Sequence, residues 1–146
     1  MPMSTANRAA PAADRTVATA MISVPKTCPA EATVADVRAV FQDDHVHCVL
    51  IVDDGALLAV VERPDIAEAS PQTPAVTLGR LRGRTIGPAE SLEPVRLSML
   101  DQPRRRLAVV SDRGALLGLL CLKRTGLGFC SDADVHARAE ERAGEA

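Results

Sequence analysis

Aromatic residues are almost missing from this sequence of 146 residues. Phe41 and Phe129 are the only two, and there is no tryptophan or tyrosine. Proteins that bind single-stranded nucleic acid stack the bases on several aromatic rings, so the sequence does not favour that class of partner. The formal net charge of -2 also lacks the positive excess that duplex nucleic acid or an anionic membrane surface would attract. We therefore expect neither a nucleic-acid partner nor a membrane partner.

Long apolar runs are missing as well. Residues 1–15, MPMSTANRAAPAADR, lack the apolar core of a secretory signal, and no later stretch reaches the length of a membrane span. We expect residues 1–15 to be disordered and the protein to be cytoplasmic. The four cysteines form no C-x-x-C pair, and three of them lie in apolar, strand-like sequence. This pattern favours reduced thiols in the core over disulfides.

Catalytic and metal-binding patterns are not found. The stretch His45-Val46-His47-Cys48 suggests a metal site, but alternate strand residues share a face, so Cys48 would point away from both histidines. No second cluster supplies the rest of a set of four ligands. The sequence also has no Ser/His/Asp arrangement, no glycine-rich phosphate loop and no paired carboxylates in a plausible cleft. We therefore expect no metal site, no catalytic residues and no enzymatic activity.

A duplicated pattern dominates the sequence. Residues 54–65 read DGALLAVVERPD and residues 113–124 read RGALLGLLCLKR, an offset of 59 positions. The same offset places Pro29-Ala30-Glu31 on Pro88-Ala89-Glu90. Self-similarity at a single period indicates two copies of one structural unit.

Both copies contain the same order of predicted elements. A short extended piece at 26–28 or 84–86 leads to a turn, and apolar residues then recur at helical spacing from Val34 or Leu92. Two apolar strands follow, joined by an Asp-Asp-Gly or Asp-Arg-Gly turn that suits a tight hairpin. A short helix at 66–69 ends the first copy. Because the hairpin strands are apolar throughout, we expect both of their faces to be covered.

This pattern of strand, helix, strand, strand and helix, with D-x-G turns and the GALLAVVERPD stretch, resembles a tandem pair of cystathionine-β-synthase (CBS) domains. Such a pair is a Bateman module, and the resemblance is to the stand-alone bacterial type. The resemblance implies an α+β fold in which two βαββα repeats with short sheets and covering helices pack about a pseudo-twofold axis. It implies a first repeat over residues 16–70, a second over 71–126, and a C-terminal tail with a short helix over 127–146.

The resemblance also implies a function. Many CBS pairs bind adenosine-containing ligands in the clefts between their repeats and associate further into dimers. We therefore expect a regulatory module with no cofactor beyond a possible adenine nucleotide (AMP, ADP or ATP) or S-adenosylmethionine as ligand. A homodimer is expected, and a protein partner is possible. The alternative is a structural dimerisation or protein-interaction module that binds no small molecule.

The family's nucleotide-binding members usually carry Ser or Thr, two further residues, and then Asp at the end of the last strand. The resemblance places Glu62-Arg63-Pro64-Asp65 on this motif in the first copy and Cys121-Leu122-Lys123-Arg124 in the second. Asp65 matches the acid that accepts the ribose hydroxyls, whereas Glu62 replaces the hydroxyl residue near the phosphates. The second copy keeps neither residue. The resemblance therefore implies at most one adenosyl site, with Asp65, Glu62 and Arg63 at it.

The charges around this site leave two kinds of ligand open. A carboxylate about 4 Å from a phosphate costs roughly 4 kcal/mol at an effective dielectric of 20, so Glu62 disfavours a polyphosphate. His47 and Arg106 match a position that is often basic in the family, and they would attract one. The alternatives are a neutral adenosyl compound near Asp65 or a phosphate turned toward the arginines. The interpretations that involve no ligand are that Asp65 caps a helix and that the arginines at 104–106 are solvated residues at the start of a strand.

Overall fold

The computed structural model describes residues 15–132. The elements in this range, in chain order, are α1 (Val17–Ala20), β1 (Thr27–Pro29), α2 (Val34–Val40), β2 (Cys48–Asp53), β3 (Ala56–Glu62), a 3₁₀ helix (Arg63–Ile66), a second 3₁₀ helix (Ala75–Thr77), β4 (Thr85–Ile86), α3 (Leu92–Asp101), β5 (Arg106–Val110) and β6 (Leu116–Cys121). The expected disorder of residues 1–15 and the helix expected in the tail after 132 fall almost entirely outside the described residues.

The strands form two three-stranded sheets of the same design. β1 pairs parallel with β2, which pairs antiparallel with β3, and β4, β5 and β6 repeat this order in the second sheet. Each hairpin turn contains a glycine with positive φ, Gly55 at 82° and Gly114 at 84°. Glycine adopts this conformation without the steric cost that a Cβ imposes. The two predicted hairpins and the mixed α+β fold class are confirmed.

The helix α2 begins with a reciprocal cap. The Thr33 hydroxyl oxygen accepts a hydrogen bond from the Asp36 amide at 3.3 Å, and Asp36 Oδ2 accepts one from the Thr33 amide at 2.9 Å. Two of the four amide groups left free at a helix start are satisfied in this way. The predicted helix start is therefore correct. The acid of this cap is Asp36, the third residue of the helix.

A pseudo-twofold axis passes between the two hairpin turns. The Leu57 amide donates to the Gly114 carbonyl at 3.0 Å, and the Leu116 amide donates to the Gly55 carbonyl at 2.9 Å. Because Leu57 and Gly55 correspond to Leu116 and Gly114 at the 59-residue offset, each bond is the symmetry mate of the other. The two repeats are therefore related by a twofold rotation.

The N-terminal segments of the two repeats are exchanged between the sheets. Ile22 shares two backbone hydrogen bonds with Leu119 of β6, at 2.7 and 2.9 Å, while Arg80 shares two with Val60 of β3, at 3.1 and 3.0 Å. Val17 is accordingly buried in the core of the second sheet, beside Leu92 and Met99. Ala75 is likewise buried in the core of the first sheet. Each core is thus completed by residues from the N-terminal segment of the other repeat.

Both faces of each hairpin are buried, as the continuous apolar strands predict. One face of each sheet packs on the helix of its own repeat, and the opposite faces meet in a third core between the repeats. The buried members of this inter-repeat core are Cys48, Leu50, Leu57, Val60 and Ala108.

The helix predicted at 66–69 is displaced. A 3₁₀ helix covers Arg63–Ile66 instead, and residues 67–68 form a turn. Pro64 suits the first turn of a helix, because its ring fixes φ and its missing amide hydrogen would have no partner there. The helix therefore starts directly after β3, and this position brings Asp65 back toward the end of the strand.

Candidate ligand-binding site

The structure gathers the predicted site residues where the two repeats meet. Glu62 is the last residue of β3, and Arg63 and Asp65 lie in the 3₁₀ helix that follows. His47 directly precedes β2, and Arg106 is the first residue of β5. They fall into two neighbouring groups, an acidic one around Asp65 and a basic one around His47.

Arg84 binds the carboxylate of Asp65. Its Nη1 donates to Asp65 Oδ2 at 2.6 Å and its Nη2 donates to Oδ1 at 3.2 Å, so the contact is bidentate. The Glu62 amide also donates to Oδ2, at 2.7 Å. The side chains of Arg84 and Asp65 are only 8% and 7% exposed. This is therefore a buried, charge-assisted pair of the strong kind.

Glu62 extends the pair into a network. Its Oε1 lies 3.3 Å from Arg84 Nη2, and its Oε2 accepts a hydrogen bond from Arg104 Nη1 at 2.7 Å. Arg84 also donates to the Val60 carbonyl at 2.8 Å. Glu62 ends the first hairpin and Asp65 follows it, whereas Arg84 and Arg104 precede strands of the second sheet. The network thus ties one repeat to the other.

Sequence reasoning missed the role of Arg84. In the two copies, Arg84 corresponds to Lys26, and the acid at 65 corresponds to Arg124. An acid in one copy and a base in the other was therefore a signal that the two clefts differ in charge. The sequence alone did not show that Arg84 reaches Asp65, because the residues are 19 positions apart and lie in different repeats. The cap interpretation of Asp65 describes its bond from the Glu62 amide.

The environment of Asp65 favours its charged form. Burial raises the pKa of this carboxyl, but the hydrogen bonds from Arg84 and the Glu62 amide and the charge of Arg84 outweigh burial, and the net shift is downward. Burial likewise lowers the pKa of Arg84, and its bond to Asp65 more than compensates, so the net shift is upward. Both groups are therefore charged at neutral pH.

We expect Asp65 to make the fold sensitive to acid. A carboxyl whose pKa is lower in the folded state contributes stability that is present above its unfolded value, near pH 4, and that is lost as pH falls through the folded value. Between pH 7 and pH 3 the wild type should therefore lose more unfolding free energy than Asp65→Asn, measured by urea denaturation. Asp112→Asn, at an exposed turn position, is the control and should lose as much as the wild type. An equal loss in Asp65→Asn would contradict this account.

The second group is a cluster of basic residues. This basic cluster consists of His47, Arg63, Arg105 and Arg106. The pKa of His47 is lowered, first by burial and then by the charges of Arg106, Arg63 and Arg105. Arg63 is held in place by bonds to the carbonyls of Asp43, at 3.2 Å, and Val46, at 2.6 Å. The histidine is therefore neutral at pH 7, and the arginines supply the positive charge.

Part of the sequence and the fold of the chain match known proteins. Residues 17–72 match the family model of the CBS domain. The structure superposes on a putative acetoin utilization protein (AcuB) from Vibrio cholerae with a TM-score of 0.64 and 21% identity, over 88% of this chain and 93% of that one. The chain has the fold of a tandem CBS domain pair. The comparison with curated proteins finds no match.

Two further structures similar to this CBS pair were solved with nucleotides. CBSX2 in complex with AMP has a TM-score of 0.63 and 20% identity, over 88% of this chain and 98% of that one. The cytosolic domain of the Mg²⁺ channel MgtE in complex with ATP has a TM-score of 0.60 and 21% identity over 70% of this chain. The CBS pair spans 44% of that domain, so the likeness concerns only part of it.

The second cleft of the CBS pair carries a different charge. Cys121, Arg124 and Lys26 occupy the positions that Glu62, Asp65 and Arg84 hold in the first. Lys26 and Arg124 are both exposed, and neither pairs with a carboxylate within residues 15–132. The two clefts are thus related by the twofold axis in backbone but not in chemistry.

Neither a metal-binding cluster nor a membrane-spanning helix is found within residues 15–132. No group of three or more histidine, cysteine, aspartate or glutamate side chains in this range is arranged to hold a metal ion. No helix in it has the length and hydrophobicity needed to cross a membrane.

Proposed function

We propose that this CBS pair is a regulatory module that binds an adenine nucleotide between its repeats and does no chemistry. The observation that carries the proposal is the basic cluster beside the Asp65 network, at the junction of the two repeats. The fold is one in which AMP and ATP complexes are known for CBSX2 and MgtE. The proposed site residues are His47, Arg63, Arg106, Glu62 and Asp65.

The charges of the network favour the phosphate-binding alternative. Glu62 would repel a phosphate if it were unpaired, but Arg84 and Arg104 both contact its carboxylate. The two acids of the network are thus balanced by two arginines, and the basic cluster adds three more. Three positive charges remain in excess. Arginine suits phosphate because its planar guanidinium donates two parallel hydrogen bonds.

Asp65 has a smaller role in this proposal than the family motif implies. A carboxylate has about four acceptor positions, and three hydrogen bonds already reach Asp65. One position is left for a ribose hydroxyl, on a side chain that is 7% exposed. We therefore assign most of the binding free energy to the phosphate and expect AMP to bind more tightly than adenosine.

We expect AMP, ADP or ATP to stabilise the protein against heat and adenosine to have little effect. At a ligand concentration of a hundred times the Kd, the stabilisation should be about 2.7 kcal/mol, readable as a thermal shift and by calorimetry. Arg106→Gln should weaken nucleotide binding at least tenfold, because it removes a charge that faces the phosphate. Arg113→Gln, at the exposed turn between β5 and β6, removes an arginine away from the basic cluster and should bind like the wild type.

Two results would count against this proposal. The absence of any shift with AMP, ADP, ATP and S-adenosylmethionine would exclude an adenosyl ligand. Equal binding of adenosine and AMP, unchanged in Arg106→Gln, would exclude phosphate recognition by the basic cluster and would favour the neutral adenosyl compound near Asp65.

A second candidate function is structural dimerisation or protein interaction without a small-molecule ligand. It is favoured by Arg84, which occupies the carboxylate that a ribose would need. It is also favoured by Leu97 and Leu100, which leave 52% and 46% of their surface exposed on α3. A sedimentation experiment that finds a stable homodimer, together with no response to any of the four ligands, would support this candidate over nucleotide binding.

A further inference from the structure

We propose that Cys121 and Cys130 are a reversible redox pair that forms a disulfide by exchange with a small-molecule disulfide. The sulfur atoms lie 3.1 Å apart, and both cysteines are free thiols. This inference goes beyond the proposed function, since it concerns a covalent modification that does not depend on any ligand.

The backbone places the two cysteines directly opposite each other. Leu122 and Phe129 form an antiparallel bridge, the Lys123 amide donates to the Gly128 carbonyl at 2.8 Å, and the Cys130 amide donates to the Cys121 carbonyl at 2.8 Å. In antiparallel strands, the Cα atoms of directly opposite residues are about 4.5 to 5.5 Å apart. That separation lies within the range of roughly 4.4 to 6.8 Å found for disulfides. The strands therefore need no rearrangement to accept the bond.

The sulfur atoms need to move only a short distance. A disulfide bond is about 2.05 Å long, so the present contact must close by about 1 Å. The side chains already face each other, because one thiol donates a hydrogen bond to the other. Rotation about the side-chain bonds is enough to close such a gap.

The two thiols have unequal access to solvent. Cys130 is half-buried, whereas Cys121 is 5% exposed. Burial, and then the hydrogen bond between the Cys121 and Cys130 thiols, raise the pKa of Cys121 to about 11. Because the thiolate is the nucleophile, the accessible Cys130 is the group that attacks an external disulfide first, and Cys121 is the resolving thiol.

The reaction balances with oxidised glutathione as the oxidant. The Cys130 thiolate attacks one glutathione sulfur, the glutathione disulfide breaks, and one glutathione thiolate leaves. The Cys121 thiolate then attacks the Cys130 sulfur of the mixed disulfide, and the second glutathione thiolate leaves. Two protein thiols and one oxidised glutathione thus become one protein disulfide and two reduced glutathione molecules. An excess of reduced glutathione reverses both steps.

The bond would fix the turn that borders the second cleft. Residues 122–129 lie between the two cysteines, and Arg124 of that cleft is among them. Residues 127–132 also line one wall of a cavity of about 410 Å³, whose other wall includes Arg15, Met21 and Arg96. Oxidation therefore fixes the segment that carries Arg124 and forms part of one wall of this cavity.

Mass spectrometry with thiol alkylation tests the pair directly. The protein is incubated with oxidised glutathione, and the free thiols are then alkylated under denaturing conditions. We expect the alkylated thiols to fall from the four of the sequence to two. A tryptic digest without reduction should contain peptide 114–123 joined to peptide 125–138, because Lys123 and Arg124 lie between the cysteines. Reduction should separate the two peptides.

Variants at single cysteines provide the controls. Cys130→Ser should abolish the joined peptides, whereas Cys28→Ser, which removes a thiol buried in the other core, should retain them. Four thiols still alkylated after treatment would overturn the proposal. Glutathione left on Cys130 without a joined pair, or a joined pair that contains Cys48, would overturn it as well.

Discussion

Arg84→Ala is expected to lower the free energy of unfolding by about 3 to 5 kcal/mol. Removal of one partner from a buried ion pair has this cost because the other charge stays buried without compensation. Within residues 15–132, Arg84 is the only side chain that is hydrogen-bonded to the Asp65 carboxylate, and the side chain of Asp65 is 7% exposed. The variant also leaves the Val60 carbonyl without the hydrogen bond that Arg84 donates.

Urea denaturation of Arg84→Ala and of Arg82→Ala measures this effect. Arg82 is the same residue type two positions away but is exposed, so its replacement should change the stability by less than about 0.5 kcal/mol. The double variant Asp65→Ala/Arg84→Ala should be more stable than the sum of the single losses predicts, because no charge is then left unpaired. Additive losses, or a loss in Arg84→Ala no larger than in Arg82→Ala, would show that the pair does not join the repeats energetically.

Gly118→Ala is expected to destabilise the protein by about 2 to 3 kcal/mol. Gly118 lies in β6, where the N-terminal segment of the first repeat crosses the strand. A Cβ at this position would lie 2.6 Å from the Ile22 carbonyl oxygen and 2.7 Å from the Met21 sulfur. The methionine side chain can move, but the carbonyl is fixed by its bond from the Leu119 amide. Overpacking of this kind typically costs 1 to 3 kcal/mol.

Thermal or urea unfolding of Gly118→Ala is compared with that of Gly128→Ala. A Cβ at Gly128 meets no atom within 4 Å, so this control should keep the stability of the wild type. Adding Met21→Ala to Gly118→Ala should restore little, since the contact with the Ile22 carbonyl remains. A full recovery in that double variant would place the clash on the side chain alone.

A second close approach of the same kind occurs where the N-terminal segment of the second repeat crosses β3, at the bridge between Arg80 and Val60. Ile22 bridges Leu119 in one crossing and Arg80 bridges Val60 in the other, so Ala59 and Gly79 correspond to Gly118 and Met21. A Cβ on Gly79 would lie 2.8 Å from the Val60 carbonyl oxygen and 3.0 Å from the Cβ of Ala59. In both crossings a glycine is therefore needed, once in the crossing segment and once in the strand. The two copies thus differ in the position of the glycine but share the close approach between the crossing segment and the strand.

Local patterns in the sequence were sufficient for the repeated elements. Continuous apolar strands around D-x-G turns predicted both hairpins, and helical spacing from Val34 and Leu92 predicted α2 and α3. The recognition of a tandem CBS pair followed from that order of elements. The short helix after β3 was predicted three residues too late, because the 3₁₀ helix begins at Arg63, immediately after the strand, with Pro64 in its first turn. These features depend on neighbours along the chain, so the sequence determines them.

The chemistry between the repeats was decided only by the tertiary structure. The twofold axis and the exchange of the N-terminal segments of the repeats bring Arg84 to Asp65, Arg104 to Glu62 and Gly118 to Ile22. The residues of each pair are too far apart in the sequence for a local pattern to predict the contact. The partner of a charged side chain is decided by tertiary packing, which here places an opposite charge about 3 Å away. The sequence by itself therefore determined that there are two similar repeats with one acidic motif between them. The tertiary structure decided that this acid is held by an arginine of the other repeat.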